Sequence, residues 1–409
     1  MPDSEVPPLA AAARPPLFDK CHIVTDRMKA ALAADTYCYF RTIESAQEPE
    51  VVVDGRTLVM LGSNNYLGLT SHPKVKEAAI AAVRRFGTGC AGSRLLNGTL
   101  SLHEALEAKL AQFIGKPAAV TFSTGFQVNL GVISCLLDRG DTVYLDKQDH
   151  ACIIDGARLS FAKMRKFAHN DPAELRRLMM AERGTPGRLV VVDGVFSMEG
   201  DIVSLPEIVK IARDFQAAIM VDDAHSLGVL GRQGRGTAEH FDLESEVHLI
   251  MGTFSKSLAS IGGFIAAEQE VIDHIRHTAR SLIFSAALAP AAAAAAGAAL
   301  DILESEPERR HQLWRNTRFL MDGFRNLGFS TGDSRTPVIP IIVGDDERAF
   351  AMTRRLHEAG VFVNPVVSPA TPPGRALLRT SCMATHTEAQ LARALEACAK
   401  VGREFGIIP

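Results

Sequence analysis

The stretches AIMVDDAH (residues 218–225) and LIMGTFSKS (residues 249–257) decide the fold of this chain. Each is a short apolar run that ends in polar side chains, with carboxylates and a histidine in the first and hydroxyls and a lysine in the second. Continuously apolar runs of this length are typical of strands that are covered on both faces. A lysine at the end of such a strand can lie in a cleft at the carboxyl edge of the sheet, where we expect a functional site.

The alternation of apolar runs and helix-start signals extends through the middle of the chain. Residues 101–104 fit a capping box, and residues 171–174 and 204–207 place a cap, a proline and an acid at the start of later helices. The pattern predicts an α/β fold with a mostly parallel sheet and helices on both faces. The predicted strands are residues 118–122, 142–146, 189–193, 218–222 and 249–253.

The chain changes character after residue 290, where we expect a smaller α+β domain. The sequence predicts a long helical stretch over residues 291 to about 327, strands over 338–343, 361–363 and 376–380, and a closing helix over 387–405. The predicted organisation is therefore a mobile tail (1–17), an N-terminal segment (18–60), a large cofactor-binding domain (61–290) and a small C-terminal domain (291–409).

Composition and charge exclude several classes of protein. The 409 residues are 47% hydrophobic and 22% charged with a net charge of −3, which is typical of a globular protein. No basic tract with interleaved aromatic residues is present, so nucleic-acid binding is not expected. The seven cysteines are scattered without a Cys-x-x-Cys pair, which indicates reduced thiols and a cytoplasmic location.

Neither the N-terminus nor the most lipid-like segment predicts secretion or a membrane span. Residues 1–16 lack the basic and apolar regions of a secretory signal. Residues 286–300 are mostly alanine, are interrupted by Pro290 and Gly297, and are shorter than the roughly 20 residues that a span needs. We interpret this segment as a buried helix, and a peripheral contact with a membrane surface stays open.

Lys256, Asp222 and the hydroxyls of Thr253 and Ser255 are the groups that pyridoxal 5'-phosphate (PLP) requires. An amine holds its aldehyde as a Schiff base, an acid pairs with its pyridinium nitrogen, and neutral donors bind its phosphate. Burial would lower the pKa of Lys256, as this role needs. The alternatives are a solvated surface lysine and an acid that caps the next helix.

Three other sites on the chain suit the same cofactor. Residues 123–126 place a glycine turn before a helix N-terminus, where backbone N–H groups favour a phosphate. His150 is interpreted as a group that stacks on the cofactor ring or as a loop histidine, and His225 as a contact of the ring's phenolic oxygen or as a core histidine. Asp222 and His225 also have the spacing of a metal-ligand pair, but no third ligand stands out, so no metal is predicted.

Arg379 lies inside the otherwise apolar strand predicted over residues 376–380. A buried arginine needs an anionic partner. The two interpretations are an internal salt bridge and a bidentate clamp on a substrate carboxylate.

These motifs resemble those of the α-oxoamine synthases, fold-type I PLP enzymes that join an amino acid to an acyl-CoA with loss of CO2. The resemblance runs from about residue 18 to residue 407 and implies a PLP-binding domain with a mostly parallel sheet and a smaller C-terminal domain. It is carried by residues 61–68 (LGSNNYLG), 87–94 (GTGCAGSR), the turn at Ser123, the pair Asp149 and His150, residues 221–226 (VDDAHS) and residues 252–256 (GTFSK).

The resemblance implies a role for each candidate site residue. Lys256 would hold the cofactor, Asp222 would pair with the pyridinium nitrogen, His225 would contact the phenolate, and His150 would stack on the ring. The phosphate would be held by Gly125, Phe126, Thr253 and Ser255, together with Ser285 from the other copy of the chain, so that active sites lie at a homodimer interface. The substrate-binding residues would be Arg379, with Ser93 near it, and Asn65.

Four further stretches favour the bacterial members of the family that condense L-serine with palmitoyl-CoA. In two places the chain departs from some relatives, which carry an aromatic residue at Asn64 and an arginine within residues 365–368 (PVVS). The alternatives are a relative that uses glycine or alanine with another acyl thioester, an aminotransferase or lyase, and a non-catalytic partner subunit. The four stretches are residues 39–45 (YFRTIES), 195–202 (VFSMEGDI), 360–365 (GVFVNP) and 369–372 (PATP).

Overall fold

The chain separates into two compact units, Met1–Arg41 and Thr42–Pro409. The structure is a computed structural model that describes residues 15–34, 36–182, 184 and 186–409. In the described part of the first unit, a 3-10 turn at Pro16–Phe18 precedes helix α1 (Cys21–Ala33), none of whose residues is buried. The tail predicted for residues 1–17 lies outside the described residues as far as residue 14.

Strands and helices alternate along the second unit. The strands are β1 (Glu50–Val53), β2 (Arg56–Met60), β3 (Ala118–Phe122), β4 (Thr142–Asp146), β5 (Lys163–Phe167), β6 (Arg188–Asp193), β7 (Ala218–Asp222), β8 (Leu249–Thr253), β9 (Gly263–Ala267), β10 (Val338–Gly344), β11 (Val361–Phe362), β12 (Asn364–Val366) and β13 (Ala376–Ser381). The helices are α2 (Pro73–Phe86), α3 (Ser101–Ile114), α4 (Gly125–Leu136), α5 (Ala151–Leu159), α6 (Pro172–Ala181), α7 (Leu205–Asp214), α8 (Thr237–His240), α9 (Gln269–Thr278), α10 (Arg280–Ile283), α11 (Pro290–Ser305), α12 (Pro307–Asn326), α13 (Asp346–Glu358) and α14 (Glu388–Glu404).

The largest sheet has seven strands in the order β3-β9-β8-β7-β6-β4-β5. All of them run parallel except β9, which pairs antiparallel with both β3 and β8. The predicted mostly parallel sheet is therefore confirmed, and all five strands predicted for it are present. The parallel register aligns Asp193 with Asp222 and Asp222 with Met251, so the carboxyl ends of these strands lie side by side at one edge.

Side chains of this sheet alternate between two hydrophobic cores, one on each face. In β6, Leu189 and Val191 pack in one core with Met220 of β7, whereas Val190 and Val192 pack in the other. Because both faces are covered by helices, neither set of positions needs polar side chains. This is why the central strands read as continuously apolar runs in the sequence.

Strands β5 and β9 are not predicted from the sequence, and each has its own reason. β5 is an edge strand whose Lys163 and Arg165 pair with Glu182, and such charges protect a sheet edge from further pairing. β9 begins at Gly263, where an added Cβ would lie 2.8 Å from the Cα of Gly125. Glycine there permits a close approach of two backbones rather than favouring a strand.

Two three-stranded sheets accompany the large one. The antiparallel sheet β10-β13-β12 lies in the C-terminal region, as the predicted smaller domain requires. The other sheet, β1-β2-β11, pairs strands from the N-terminal segment with β11 of the C-terminal region. The domain boundaries at residues 61 and 290 stay predictions. Among the described residues, no helix combines the length and the apolarity that crossing a membrane requires.

Two helix predictions are refined by the structure. The helical stretch predicted over residues 291 to about 327 consists of two helices, since α11 ends before Glu306 and α12 begins at Pro307. Proline has no N–H to donate and disfavours helical geometry in the residue before it. The capping box predicted at residues 101–104 is displaced by one residue: Leu100 is the N-cap, and its N–H is accepted by His103 Nδ1 at 3.1 Å. The cap at Asp171 is confirmed by its hydrogen bond from Glu174 N–H.

A buried ion-pair network joins α3 to β3, α9 and the loop that precedes α3. The side chain of Glu107 is 4% exposed and accepts hydrogen bonds from Arg94 Nη1 at 2.5 Å and Arg276 Nη2 at 2.9 Å. It also accepts from the N–H and the hydroxyl of Thr121, at 2.8 and 2.9 Å. One carboxylate thus compensates two guanidinium groups.

We expect Glu107→Ala to lower the free energy of unfolding by about 3–5 kcal/mol, because it leaves the buried guanidinium of Arg94 without its anion. Urea denaturation followed by circular dichroism measures this loss. Glu104→Ala is the matched control, since Glu104 is exposed on the same helix and should change the free energy by no more than about 0.5 kcal/mol. Equal losses in the two variants would contradict the role given to the network.

Candidate active site

The loops that follow β3, β4, β6, β7 and β8 enclose a cavity of about 320 Å3 at the carboxyl edge of the large sheet. Eight of the nine predicted cofactor-binding residues line it: Gly125, Phe126, His150, Asp222, His225, Thr253, Ser255 and Lys256. The sequence interpretation missed other lining residues, among them Cys152, Asp193, Ser197 and Ile261. The structure thus brings together residues as far apart in the chain as Thr124 and Gly262.

Lys256 projects into this cavity from the turn after β8. Burial lowers the pKa of its amine and Arg379 lowers it further, while the carboxylates of Asp222 and Asp193 act in the opposite direction. The net shift is downward, which increases the fraction of unprotonated amine. An unprotonated amine can act as a nucleophile or as a base.

Asp222 ends β7 and is 3% exposed. Its Oδ2 accepts a hydrogen bond from Asn129 Nδ2 at 2.6 Å, and its Oδ1 accepts one from the N–H of Ala224 at 2.9 Å. These donors stabilise the carboxylate where it would otherwise be buried without compensation. Asn129 lies on α4, and no local sequence pattern identifies it as a partner of Asp222.

The two histidines of the cavity are both held neutral. Burial and the neighbouring cations Lys256 and Arg379 keep the pKa of His225 well below its ordinary value. Its Nδ1 lies 2.7 Å from the hydroxyl of Tyr66. For His150, partial burial and Lys256 lower the pKa of the imidazole, and Asp222 opposes them without reversing the shift.

A pair of buried carboxylates holds the loop that carries His150. Asp193 Oδ2 accepts the backbone N–H of His150 at 2.8 Å, and Asp149 accepts the backbone N–H groups of Asp193 and Asp146 at 3.0 and 2.8 Å. Burial raises the pKa of Asp149 and of Asp193 well above the ordinary range, and the neighbouring carboxylates raise both further. The loop after β4 is thus fixed to the end of β6.

A cradle of small groups lies at one end of the cavity. An added Cβ on Gly125 would lie 2.8 Å from Thr253 Oγ1, so only glycine lets the α4 N-terminus approach β8 this closely. Thr253 Oγ1 and Ser255 Oγ are 2.9 Å apart beside it. Free N–H groups of a helix N-terminus next to two hydroxyls form a binding site for an anion such as a phosphate.

Arg379 is 7% exposed and reaches the cavity through Ser197, a lining residue. Its Nε donates to the carbonyl of Ser197 at 2.6 Å, and its Nη2 donates to Asn64 Oδ1 at 2.9 Å, with the hydroxyl of Tyr66 3.5 Å away. Of the two interpretations of Arg379, an internal salt bridge finds no support among these described contacts, all of which are to neutral groups.

Like Arg379, three further predicted residues lie outside the cavity lining: Ser285, Ser93 and Asn65. Ser285 accepts a hydrogen bond from Gln127 Nε2 at 3.1 Å. Ser93 forms a β-bridge with Ala286, and among the described residues its buried hydroxyl finds no hydrogen-bond partner.

The side chain of Asn65 is hydrogen-bonded to its own loop and to the segment before β1. Its amide donates to Gln47 O and Thr70 Oγ1, and its carbonyl oxygen accepts from Leu69 N–H. The neighbouring Asn64, rather than Asn65, faces Arg379.

His169 holds the 195–202 hairpin that carries Ser197. Its Nδ1 bonds Asp146 and its Nε2 bonds Asp201, each at 3.0 Å, so both ring nitrogens donate and the imidazole is cationic. Burial lowers the pKa of His169, but the hydrogen bonds and charges of Asp146 and Asp201 outweigh it and raise that pKa to about 10. His169 thus joins the hairpin, through Asp201, to Asp146 at the end of β4.

The comparisons with known proteins agree with this geometry. The family described as aminotransferase class I and II matches residues 56–398. The serine palmitoyltransferase of Sphingobacterium spiritivorum is 53% identical over 91% of this chain and 93% of its own length. The 8-amino-7-oxononanoate synthase of Geobacter sulfurreducens is 46% identical over 91% of this chain and 96% of its own length. A solved structure described as SPT with PLP internal aldimine has a TM-score of 0.94 at 36% identity, covering 96% of this chain and 100% of its own.

The chain therefore belongs to the class I and II aminotransferase family of PLP-dependent enzymes. Within it, the resemblance to the α-oxoamine synthases is confirmed, as is the fold-type I architecture.

The residues of the cavity fit this cofactor. The glycine cradle leaves room for a phosphate beside Thr253 and Ser255, Asp222 offers a buried carboxylate to a ring nitrogen, and Lys256 offers an amine of lowered pKa to an aldehyde. PLP is the cofactor.

Because His169 is charged in the folded protein, its contribution to the free energy of unfolding should decrease as the pH rises. Its folded pKa of about 10 exceeds the unfolded value of about 6.5, so its stabilisation is complete below about pH 6.5 and is lost as the pH rises toward 10. We expect His169→Gln, which is neutral, to lower the free energy of unfolding by about 2–4 kcal/mol near pH 6, after allowing for partial solvent screening. Urea denaturation across this pH range measures the difference.

The difference in the free energy of unfolding between wild type and His169→Gln should become smaller as the pH approaches 10. His274→Gln is the control, because His274 is exposed and should show no comparable gap. A gap that stays constant from about pH 6 to pH 10 would mean that shape, not charge, is the contribution of His169.

Proposed function

We propose that this chain condenses L-serine with a long-chain acyl-CoA, palmitoyl-CoA, to give 3-oxosphinganine, CoA and CO2, the first step of sphingolipid synthesis. The observation that carries the proposal is the convergence of Lys256, Asp222, His225 and His150 on one cavity. The relative named serine palmitoyltransferase, 53% identical over most of the chain, supports the choice of substrates.

Lys256 has two tasks in this reaction. It would hold the cofactor through its aldehyde group, and its freed amine would take the proton from the α-carbon of the amino acid. Both tasks need an unprotonated amine, which the lowered pKa favours. When bound, PLP supplies an electron sink for the bonds that break at the α-carbon.

Asp222 and His225 would set the electronic state of the cofactor ring. Asp222, held by Asn129 and the N–H of Ala224, would keep the ring nitrogen protonated. His225, which is hydrogen-bonded to Tyr66, would contact the phenolic oxygen. His150 would pack against the ring and orient the substrate carboxylate, which would limit premature loss of CO2.

Arg379 binds the carboxylate of the amino acid. Its Nη2 donates to a neutral amide, Asn64, so the guanidinium charge stays available for an incoming anion. Asn64 and the carbonyl of Ser197 hold the guanidinium plane from two sides. Ser93 is proposed to lie near the same carboxylate.

The proposed assembly is a homodimer with shared active sites. The segments of Ser93 and Ser285 lie side by side, since Ser93 bridges Ala286. Large apolar side chains are exposed around them and around the cavity mouth, including Leu96 (80% exposed), Phe284 (71%) and Ile261 (57%). Such a cluster is typical of an interface, and it would place Ser285 of one copy at the phosphate of the other.

The test of function is an absorption spectrum of the purified protein with PLP, followed by separate additions of L-serine, glycine and L-alanine. Palmitoyl-CoA and a thiol reagent are then added to detect free CoA. We expect the cofactor band to shift with L-serine, and CoA to appear only when both substrates are present. Lys256→Ala should remain folded and release no CoA, since it lacks the base, whereas Lys147→Ala, on an exposed lysine, should retain activity.

The other outcomes separate the alternatives. A shift with glycine or alanine instead of serine would keep the family and change the substrate, as the similarity to an 8-amino-7-oxononanoate synthase allows. A spectral change without CoA release would indicate an aminotransferase or lyase. No cofactor band at all would indicate a non-catalytic partner subunit, and normal turnover by Lys256→Ala would refute the assignment.

Subunit complementation tests the shared site. Ser285→Ala should weaken PLP binding by about tenfold, because it removes one hydrogen bond to a charged phosphate. If Ser285 acts across the interface, co-expression of Lys256→Ala and Ser285→Ala subunits yields hybrid dimers with one intact site, and PLP affinity returns to the wild-type value at that site. If Ser285 acts within its own subunit, the hybrids have no intact site and no recovery is measured.

A further inference from the structure

We infer that Asn129 and Cys152 form a hydrogen-bond relay that holds the imidazole of His150 in its Nε2–H form, so that Nε2 donates toward the substrate. The relay runs from Asp222 through Asn129 and Cys152 to His150. The inference rests on the proposed function for the placement of His150 beside the substrate. Asn129 and Cys152 are positioning residues, since they act through His150.

The Nδ1 atom of His150 is an acceptor. His150 is the N-cap of α5, and the backbone N–H of Cys152 points at Nδ1 from 3.3 Å. A backbone N–H can only donate, so Nδ1 carries no proton in this contact. The Sγ atom of Cys152 lies 2.8 Å from the same nitrogen. With Nδ1 unprotonated, the hydrogen between these two atoms belongs to the thiol.

The direction of the thiol is set by Asn129. The amide nitrogen of Asn129 lies 2.6 Å from Asp222 Oδ2 and 3.0 Å from Cys152 Sγ. A carboxylate only accepts, so this nitrogen donates one hydrogen to Asp222 and has its second for the sulfur. The sulfur is then the acceptor from Asn129, and its own hydrogen is available for His150. Asn129 is 0% exposed and Cys152 is 3% exposed, so bulk water does not compete.

The charges around the relay keep each member in the protonation state that it needs. Asp222 and Lys256 face the imidazole, and Asp193 accepts the backbone N–H of His150. Partial burial and Lys256 lower the pKa of His150 despite Asp222, which favours the neutral ring. Burial, Asp222 and Asp193 raise the pKa of the Cys152 thiol, which therefore stays a donor and does not ionise.

For the reaction, the consequence is that His150 would present a hydrogen-bond donor, and not a base, to the substrate. With Nδ1 occupied, the proton of the neutral ring is on Nε2, where it can hydrogen-bond a carboxylate oxygen. The other tautomer would present a lone pair to that oxygen and repel it. The relay thus links the residue that controls the ring nitrogen, Asp222, to the residue that orients the carboxylate.

The experiment is 15N NMR of the apo-protein labelled at histidine, with His150→Gln used to assign the ring signals. We expect the wild type to show His150 as the Nε2–H tautomer. Cys152→Ser, whose hydroxyl also donates and accepts, should keep it. Cys152→Ala keeps the backbone N–H donor but loses the thiol, so it should show a mixture of tautomers and a His150 pKa about one unit higher, since protonation of Nδ1 then costs one hydrogen bond fewer. Cys135→Ser is the control: Cys135 lies on α4 but outside the relay, so this variant should show the wild-type tautomer and pKa of His150.

A kinetic measurement on the PLP-loaded enzyme supplies the second readout. Cys152→Ala should lower kcat about fivefold and displace the acid limb of the pH profile upward, with the KM for palmitoyl-CoA unchanged, and Cys152→Ser should restore both. An Nδ1–H tautomer in the wild-type apo-protein overturns the relay without reference to any variant. A Cys152→Ala protein in which His150 has the same tautomer and the same pKa as in the wild type also overturns the relay. Failure of the serine reaction with the NMR result intact would reject the proposed function and leave the relay standing.

Discussion

The lateral register of β6, β7 and β8 is the constraint on which the rest of the site depends. Backbone pairing aligns Asp193 with Asp222 and Asp222 with Met251, so the polar ends of three strands arrive at the same edge. Since side chains alternate between the two faces, a slip of one residue would exchange Asp222 with Val221, which packs in the core of one face. The two buried cores therefore fix the position of the Asp222 carboxylate as well as the stability of the sheet.

The second constraint is the balance of charge inside a partly closed cavity. Asp222, Asp193 and Arg379 act on the pKa of Lys256, and Asp222 and Lys256 act on the pKa of Asp193, because solvent screens these charges poorly. Burial moves Lys256 and both histidines toward their neutral forms, which are the forms that PLP chemistry uses. Backbone N–H groups, rather than additional cations, satisfy the carboxylates of Asp193 and Asp149.

Residues that directly follow an apolar strand were predictable from the sequence. Asp222, Lys256 and His150 each lie a few residues after such a run, and the parallel sheet brings the ends of these runs together. The break between α11 and α12 was also foreseeable, because Pro307 marks it. The edge strand β5 was not foreseeable, since three of its five residues are charged and it has no continuous apolar run.

The partners of the site residues were not predictable, because long-range packing selects them. Asn129 reaches Asp222 from α4, and Tyr66 reaches His225 from a loop early in the chain. Nothing local distinguishes Asn64 from Asn65, yet one faces Arg379 and the other ties its own loop. A side chain that depends on a distant partner leaves no periodic or spacing signal in the sequence.

The contact between Arg379 and Asn64 also bears on how the protein acquires function during synthesis. It joins residues 315 positions apart, so the loop that it closes spans most of the chain. The glycine cradle, by contrast, needs nothing beyond β9, which ends at residue 267. A nascent chain that has emerged only as far as β9 already contains every residue of the cradle but lacks the arginine that would hold the amino acid. Under the proposed function, the cradle for the phosphate and the arginine for the amino acid are thus encoded in different parts of the polypeptide, and only the arginine lies in the C-terminal hundred residues.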